Sequence, residues 1–296
     1  MLSSVIRSSS PMRRFTLLSV VAVLAMTASA CVSNAQGGST ASASSSSHAQ
    51  KILTNTSSVS SSSSSLPAPA AKPVSFHIPI LVYHHIRPTA GYPKTTWSWK
   101  MSVTPSVFAK QMQWLEDHHY TTISLDTFVK IAKGEMRGPE KPVVITFDDN
   151  NENAFVSGFP VLKKHWFTAT WYVITSRIDK SKDSLSSAQI KELSQAGMDI
   201  QSHSVTHPWL TSLSVSQQKW ELDESRKTIE ALTGKPVRHL AYPLTMQNAQ
   251  VRSVVSQEGY VTGTIMDPRP ATQKDDLLKL PRIMMTDDTG LAQALP

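Results

Sequence analysis

Short apolar runs alternate with longer segments of helical periodicity from residue 78 onward. Residues 78–83 and 143–147 are almost wholly apolar, which is typical of strands buried on both faces. Thr104 and Pro105 begin a helix, because Thr caps helices and Pro suits the first helical position. The pattern predicts further strands at 120–125, 167–173, 198–201, 237–242 and 260–265, and helices at 126–133, 155–165, 187–195, 214–232 and 248–258.

Repeated strand–helix units favour parallel strands covered by helices. Six or more units in one domain predict a barrel, with an active site at the carboxyl ends of its strands. The chain has 296 residues, and a domain typically takes about 100–200. We therefore expect one α/β domain over residues 73–296.

The amino-terminal segment has the layout of an export signal. Arg13 and Arg14 precede the apolar run 15–26, and four small residues follow. This run is too short for a membrane-spanning helix, which needs about 20 apolar residues. The pattern predicts a cleaved leader.

Cys31, the one cysteine of the chain, stands directly after those small residues. Its placement resembles a bacterial lipoprotein signal, in which the cysteine is lipidated after cleavage. We predict a signal peptide over 1–31 and a lipid anchor at Cys31. Plain cleavage after Ala30 and secretion is the alternative, because Ala28 stands where such signals usually carry Leu.

Residues 32–72 are rich in Ser, Ala and Pro, and such a segment cannot bury enough apolar surface to fold. We expect a disordered linker between anchor and domain. The net charge of +7 comes mostly from residues 1–75, which hold five basic and no acidic residues. The remainder has 24 basic against 22 acidic residues, so we predict no nucleic-acid partner.

Two adjacent carboxylates, Asp148 and Asp149, directly follow the predicted strand 143–147. Adjacent buried carboxylates repel each other and lose solvation, so a metal or a base must compensate them. Helix capping at a strand–helix junction is the alternative interpretation.

His203 and His207 follow the predicted strand 198–201 with a spacing of four residues. One helical turn would bring both imidazoles to the same metal ion. Two exposed or core histidines are the alternative. A His-Glu-x-x-His metalloprotease is excluded, because Ser204 stands at the second position.

Taken together, the motifs resemble those of the polysaccharide deacetylases, carbohydrate esterase family 4. The matching segments are Thr-Phe-Asp-Asp at 146–149, His-x-x-x-His at 203–207 and Ala-Tyr-Pro at 241–243. Residues 80–84, Ile-Leu-Val-Tyr-His, resemble the opening of the subgroup that deacetylates poly-N-acetylglucosamine. The resemblance implies a distorted (β/α) barrel with a single catalytic domain.

The resemblance implies a metal site made of Asp149, His203 and His207. Zinc is the expected ion, and a set of one Asp and two His also accepts Co²⁺, Ni²⁺ or Fe²⁺. A site with three protein ligands leaves positions open for water and a carbonyl oxygen.

The resemblance also implies the acid–base residues. Asp148 corresponds to the general base and His84 to the general acid. The backbone N–H after the turn at Tyr242 corresponds to an oxyanion contact, and Tyr242 is also expected at the substrate. Arg282 or Arg238 would hold Asp148 in its charged form, and the sequence does not choose between them.

Two positions depart from the family pattern. Asn150 replaces a usual Gly, and Asn is the next most tolerant residue of a positive φ. Leu244 and Thr245 follow Tyr-Pro where the family often has Tyr-Gly, which alters one wall of the site. Trp97 and Trp99 are candidates for sugar stacking, with core packing as the alternative.

These features predict a metal-dependent hydrolase that removes N-acetyl groups from an N-acetylhexosamine polysaccharide of the bacterial envelope. The same site acting on O-acetyl esters, such as those of xylan, is one alternative. A catalytically weak glycan-binding envelope protein is the other, because of the altered residues Asn150, Leu244 and Thr245.

Overall fold

The computed structural model describes residues 75–295. The predicted signal peptide 1–31, Cys31 and the predicted linker 32–72 therefore lie outside the described residues. Within 75–295, none of the helices is both long and apolar enough to cross a membrane.

The described chain alternates strands and helices. The strands are β1 (His77–Ile78), β2 (Ile80–Tyr83), β3 (His85–Ile86), β4 (Ser102–Val103), β5 (Thr121–Thr122), β6 (Pro142–Phe147), β7 (Thr170–Val173), β8 (Asp199–Ser202), β9 (His239–Ala241), β10 (Thr262–Met266), β11 (Ala271–Thr272) and β12 (Leu280–Met284). The helices are α1 (Trp97–Lys100), α2 (Pro105–Asp117), α3 (Leu125–Ala132), α4 (Glu152–Lys164), α5 (Ser187–Gln195), α6 (Val215–Thr233), α7 (Ala249–Gln257) and α8 (Leu291–Ala294).

Seven parallel strands close a barrel in the order β2, β12, β10, β9, β8, β7, β6, and the pairing of β6 with β2 completes the ring. Strand β5 adds to β6 outside the ring. Strands β1 and β11 form an antiparallel pair, and β3 pairs with β4. The predicted (β/α) barrel is confirmed.

The barrel strands are buried on both faces. Along β2, Leu81 and Tyr83 belong to the apolar cluster that includes residues of α2, α4, α5, α6 and α7. Ile80, whose side chain points the other way in a pleated strand, packs in a second cluster with Val144 and Tyr172. This double burial explains why these strands are apolar throughout instead of alternating.

Most predicted elements lie within a few residues of their observed bounds. Helix α5 begins and ends as predicted, and α6 ends at Gly234 with a left-handed φ of 69°. The predicted strand 78–83 divides at Pro79 into β1 and β2, because Pro has no N–H to donate. The pattern does not predict β12, since Pro281 inside the run indicates a break.

Candidate active site

The closure of the barrel brings His84 and Asp148 together. Strands β2 and β6 are paired so that Tyr83 lies opposite Phe147, and the Asp148 N–H donates to the Tyr83 carbonyl at 3.0 Å. The next residues therefore leave the barrel side by side at its carboxyl end. His84 Nε2 lies 3.9 Å from Asp148 Oδ2, and both side chains are buried.

Arg282 reaches Asp148 from β12, the other neighbour of β2. Its two terminal nitrogens donate to the two carboxylate oxygens at 2.8 and 2.6 Å, and Nη1 also donates to Thr146 Oγ1 at 3.1 Å. Such a two-pronged contact fixes the plane of the carboxylate. Arg238, the other candidate, instead lies 3.8 Å from Asp126, so the structure selects Arg282.

The charges around Asp148 determine its protonation. Burial alone would raise the pKa of Asp148, but the Arg282 guanidinium, together with His203 and His84, outweighs burial and holds that pKa well below its usual range. The pKa of His84 is lowered, because burial disfavours the imidazolium more than Asp148 and Asp149 stabilise it. Near neutral pH, Asp148 is therefore a carboxylate able to accept a proton.

Asp149, His203 and His207 form a cluster whose ligand atoms all lie within 4.8 Å of one another. The Nε2 atoms of both histidines are 3.6 Å from Asp149 Oδ1. The two rings stand edge to face, with centroids 4.7 Å apart. Three lone pairs thus converge on one point.

The donors in this cluster suit a divalent metal ion. His203 Nδ1 lies 2.7 Å from the Ala241 carbonyl, which can only accept, so Nδ1 carries the proton and Nε2 is free to ligate. Two imidazoles and one carboxylate are a common set for zinc and related ions. The residues present therefore fit the metal that the sequence predicts.

A left-handed turn directs Asp149 away from the barrel strand. Asp149 and Asn150 have φ values of 74° and 45°, so Asn150 adopts the conformation expected of the Gly that it replaces. Its side chain adds a clamp: Oδ1 accepts from the Ile174 N–H at 2.9 Å, and Nδ2 donates to the Ile174 carbonyl at 3.3 Å. The substitution therefore keeps the turn.

For Tyr242, the structure disagrees with the expected substrate contact of this residue but not with the oxyanion contact expected from the N–H after this turn. Its hydroxyl donates to the Leu278 carbonyl at 2.9 Å, its N–H donates to the Thr264 carbonyl at 3.2 Å, and the side chain is buried. Neither group is open to a substrate, because the ring packs against Gly263 and the N–H belongs to the sheet. The next N–H, that of Leu244, has no hydrogen-bond acceptor among residues 75–295.

The tryptophans of α1 differ from each other. Trp97 is 62% exposed, whereas Trp99 is 8% exposed and has Lys94 Nζ 5.1 Å from its ring centroid. The expectation of a sugar-facing Trp99 is therefore wrong, and packing is its role. Trp97 is accessible, and its contact with sugar stays a prediction.

Thr146 takes part in the site, although no role was assigned to it from the sequence. Thr146 belongs to the motif 146–149, yet its function appears only in three dimensions. Its hydroxyl donates to the Leu81 carbonyl at 2.8 Å and accepts from Arg282. Periodicity could have indicated it, because a polar residue in an otherwise apolar buried strand requires a partner.

Comparison with known proteins shows the family of the chain. The sequence profile of the polysaccharide deacetylase family matches residues 135–263. The poly-beta-1,6-N-acetyl-D-glucosamine N-deacetylase of Staphylococcus epidermidis is 30% identical over 203 residues, which are 63% of this chain and 69% of that protein. The chain belongs to the polysaccharide deacetylase family.

Solved structures show the same architecture. The Streptococcus pyogenes deacetylase PplD, in complex with acetate, superposes with a TM-score of 0.71 at 28% identity, covering 76% of this chain and 100% of that one. The polysaccharide deacetylase BC0361 from Bacillus cereus gives 0.65 at 30% identity, covering 74% and 68%.

Proposed function

We propose that the protein is a metal-dependent N-deacetylase of an N-acetylhexosamine polysaccharide in the bacterial cell envelope. The observation that carries the proposal is the pairing of a converging Asp149–His203–His207 set with a buried Asp148 carboxylate and His84. The similarity to the staphylococcal N-deacetylase supports the amide substrate over the O-acetyl ester.

The acid and base roles follow from charge and position. A divalent ion held by the three ligands would polarise the amide carbonyl and lower the pKa of water towards about 7. Asp148, kept ionised by Arg282, takes the proton of the attacking water. His84 gives a proton to the departing amine; because its pKa is lowered, it is neutral beforehand and receives that proton from Asp148, 3.9 Å away, which took it from the water.

The turn after β9 supplies the second contact for the developing negative charge. We assign that contact to the Leu244 N–H, which has no acceptor within the described range 75–295. Leu244 and Thr245 both have positive φ, at 55° and 65°. A β-branched residue seldom adopts this conformation, and such strain is typical of functional sites. The Thr245 hydroxyl stabilises the turn by accepting from the Met266 N–H at 3.3 Å.

Zinc is the ion that we propose, because it tolerates a site of three protein ligands with open positions. Residues 1–31 are proposed as a signal peptide, with lipidation at Cys31, and 32–72 as a tether. A tethered domain could reach a polymer at the cell surface or in the periplasm. Trp97 is proposed as a stacking platform for it.

The test is acetate release from N-acetylglucosamine oligomers by the full-length protein, with zinc, cobalt or chelator. We expect release that stops with chelator and returns with metal. The same assay on acetylated xylan separates amide from ester hydrolysis. A protein that binds metal yet releases no acetate from any glycan would contradict the proposal and favour a glycan-binding protein.

A further inference from the structure

The loop that carries both histidine ligands has every backbone N–H satisfied. The His203 N–H donates to β7 at the Val173 carbonyl, and the Ser204 N–H donates to Ser202 Oγ at 3.2 Å. The His207 N–H donates back to Ser204 Oγ at 2.9 Å. The two remaining N–H groups, at positions 205 and 206, both reach outside the loop to α6.

Glu221 on α6 receives those two groups. Its Oε2 accepts from the N–H of Val205 at 2.8 Å and of Thr206 at 2.9 Å, and Oε1 accepts from the Thr206 hydroxyl at 2.5 Å. The Glu221 side chain is 4% exposed. One buried carboxylate thus joins the middle of the loop to a 19-residue helix.

The loop conformation needs this support. Ser204 and His207 have φ values of 65° and 62°, in the left-handed region that non-glycine residues seldom adopt. Each such residue costs of order 1–3 kcal/mol and persists only where surrounding contacts enforce it. The strained His207 is a ligand of the candidate metal site.

We infer that Glu221 is a positioning residue for the metal site. By holding the loop between the ligands, it keeps the His207 Nε2 3.6 Å from Asp149 Oδ1. The inference rests on the proposed function only for the assignment of His203 and His207 as ligands. Removing the Glu221 carboxylate should weaken metal binding and leave the acid–base pair of His84 and Asp148 unchanged.

The reach and the charge of Glu221 can be separated by substitution. Glu221→Gln keeps the length, and its amide oxygen can still accept both N–H groups. Glu221→Asp keeps the charge but is one methylene too short. Glu221→Ala removes both. Glu230→Ala is the matched control, because Glu230 of the same helix accepts from the Val237 N–H at 2.9 Å, away from the ligand loop.

The measurement is the affinity of the full-length protein for Co²⁺ or Zn²⁺ alone, by competition with a chromophoric chelator. We expect binding about 10–100-fold weaker in the Ala and Asp variants, as found for residues that orient metal ligands. Glu221→Gln should stay within about threefold of wild type, and so should Glu230→Ala. The Co²⁺ absorption band should change in the Ala and Asp variants only.

Unchanged affinity in both the Ala and Asp variants would overturn the inference. An equal loss of metal affinity in Glu230→Ala would show general destabilisation. An equal loss in Glu221→Gln would show an effect of charge. Either result would also overturn the inference. If the Ala variant does not fold, the Gln and Asp pair carries the test. Metal affinity is read without substrate, so a failure to release acetate leaves this inference standing while the proposed function falls.

Discussion

Both ends of the barrel contain a buried histidine beside carboxylates, yet they differ in how the polar atoms are satisfied. At the amino end, His239 Nδ1 lies 2.9 Å from Thr262 Oγ1, and Nε2 lies 3.3 Å from Asp126 Oδ1. Asp199 there accepts from Gln201 Nε2 at 2.6 Å. Each group at this end has a complementary partner.

At the carboxyl end, Asp149, His203 and His207 each offer one potential ligand atom, and these atoms all lie within 4.8 Å of one another. A buried His–carboxylate contact alone therefore does not indicate a catalytic site. Convergence of potential metal-ligand atoms indicates one, because a single divalent cation can be coordinated by all of them together. We expect substitutions at the carboxyl end to reduce activity and those at the amino end to change stability.

The largest effect should come from Asp148→Asn. Loss of the general base should lower kcat by about 10²–10⁴-fold, whereas the metal ligands stay in place. Acetate release and metal affinity, measured on the same preparation, check this, with thermal unfolding as the control for the buried Arg282. A kcat within tenfold of wild type would refute the base assignment.

Arg282→Lys should have the next effect on activity. An ammonium keeps the charge but cannot hold both carboxylate oxygens, so we expect a decrease in kcat of about tenfold with little change in KM. Arg238→Lys is the matched control, because Arg238 is exposed and pairs with Asp126 at the other end. Equal effects in the two variants would contradict the selection of Arg282.

His239→Ala tests the amino end. Loss of its contacts with Thr262 and Asp126, together with the cavity left behind, should lower the free energy of unfolding by about 2–3 kcal/mol. For a domain of this size the Tm falls by roughly 5–10 °C. Metal affinity should remain within twofold of wild type. A large loss of metal binding without a change in Tm would break the contrast between the two ends.

The smallest effect is a pH-dependent one at Asp199. Burial raises the pKa of Asp199, so the folded state holds this proton more tightly than the unfolded state. The resulting stability is greatest at low pH and is lost as pH rises through the folded pKa. Asp199→Asn should therefore raise the Tm at pH 7 by about 1–3 °C, with no gain near pH 3.

Asp126→Asn should change the stability at pH 7 in the opposite direction to Asp199→Asn. A hydrogen bond with His239 lowers the pKa of Asp126, so its ionised form stabilises the fold above its usual pKa. The Asn variant should be slightly less stable at pH 7, and this difference should fade as pH falls. Shifts of the same sign in both variants would contradict the assignment of charges at this end.

The sequence was sufficient for the barrel and for most of the candidate site. Local motifs place Asp148, Asp149, His203 and His207 at strand ends, and the ends of parallel strands meet at one edge. The sequence was not sufficient to predict β12, because Pro281 indicates a break in the strand. It therefore could not decide between Arg282 and Arg238 as the partner of Asp148. Partners far apart in sequence leave no local signal.

The errors have the same origin. Trp99 was expected at the substrate by residue type and Tyr242 by the family resemblance, but burial is decided by packing from several elements. Glu221 carries no motif at all, and its three contacts depend on how α6 packs beside the ligand loop. The Leu244 N–H is different, because the family resemblance had already placed an oxyanion contact at the N–H after the turn at Tyr242.

The position of β12 between β10 and β2 has a consequence for the timing of synthesis. Asp148 and its partner Arg282 are 134 residues apart. At about 5–20 residues per second, the ribosome needs roughly 7–27 s to add that stretch. Until then the nascent chain has neither a closed ring nor the guanidinium that orients the Asp148 carboxylate. The protein therefore cannot act on glycan while it is still being made.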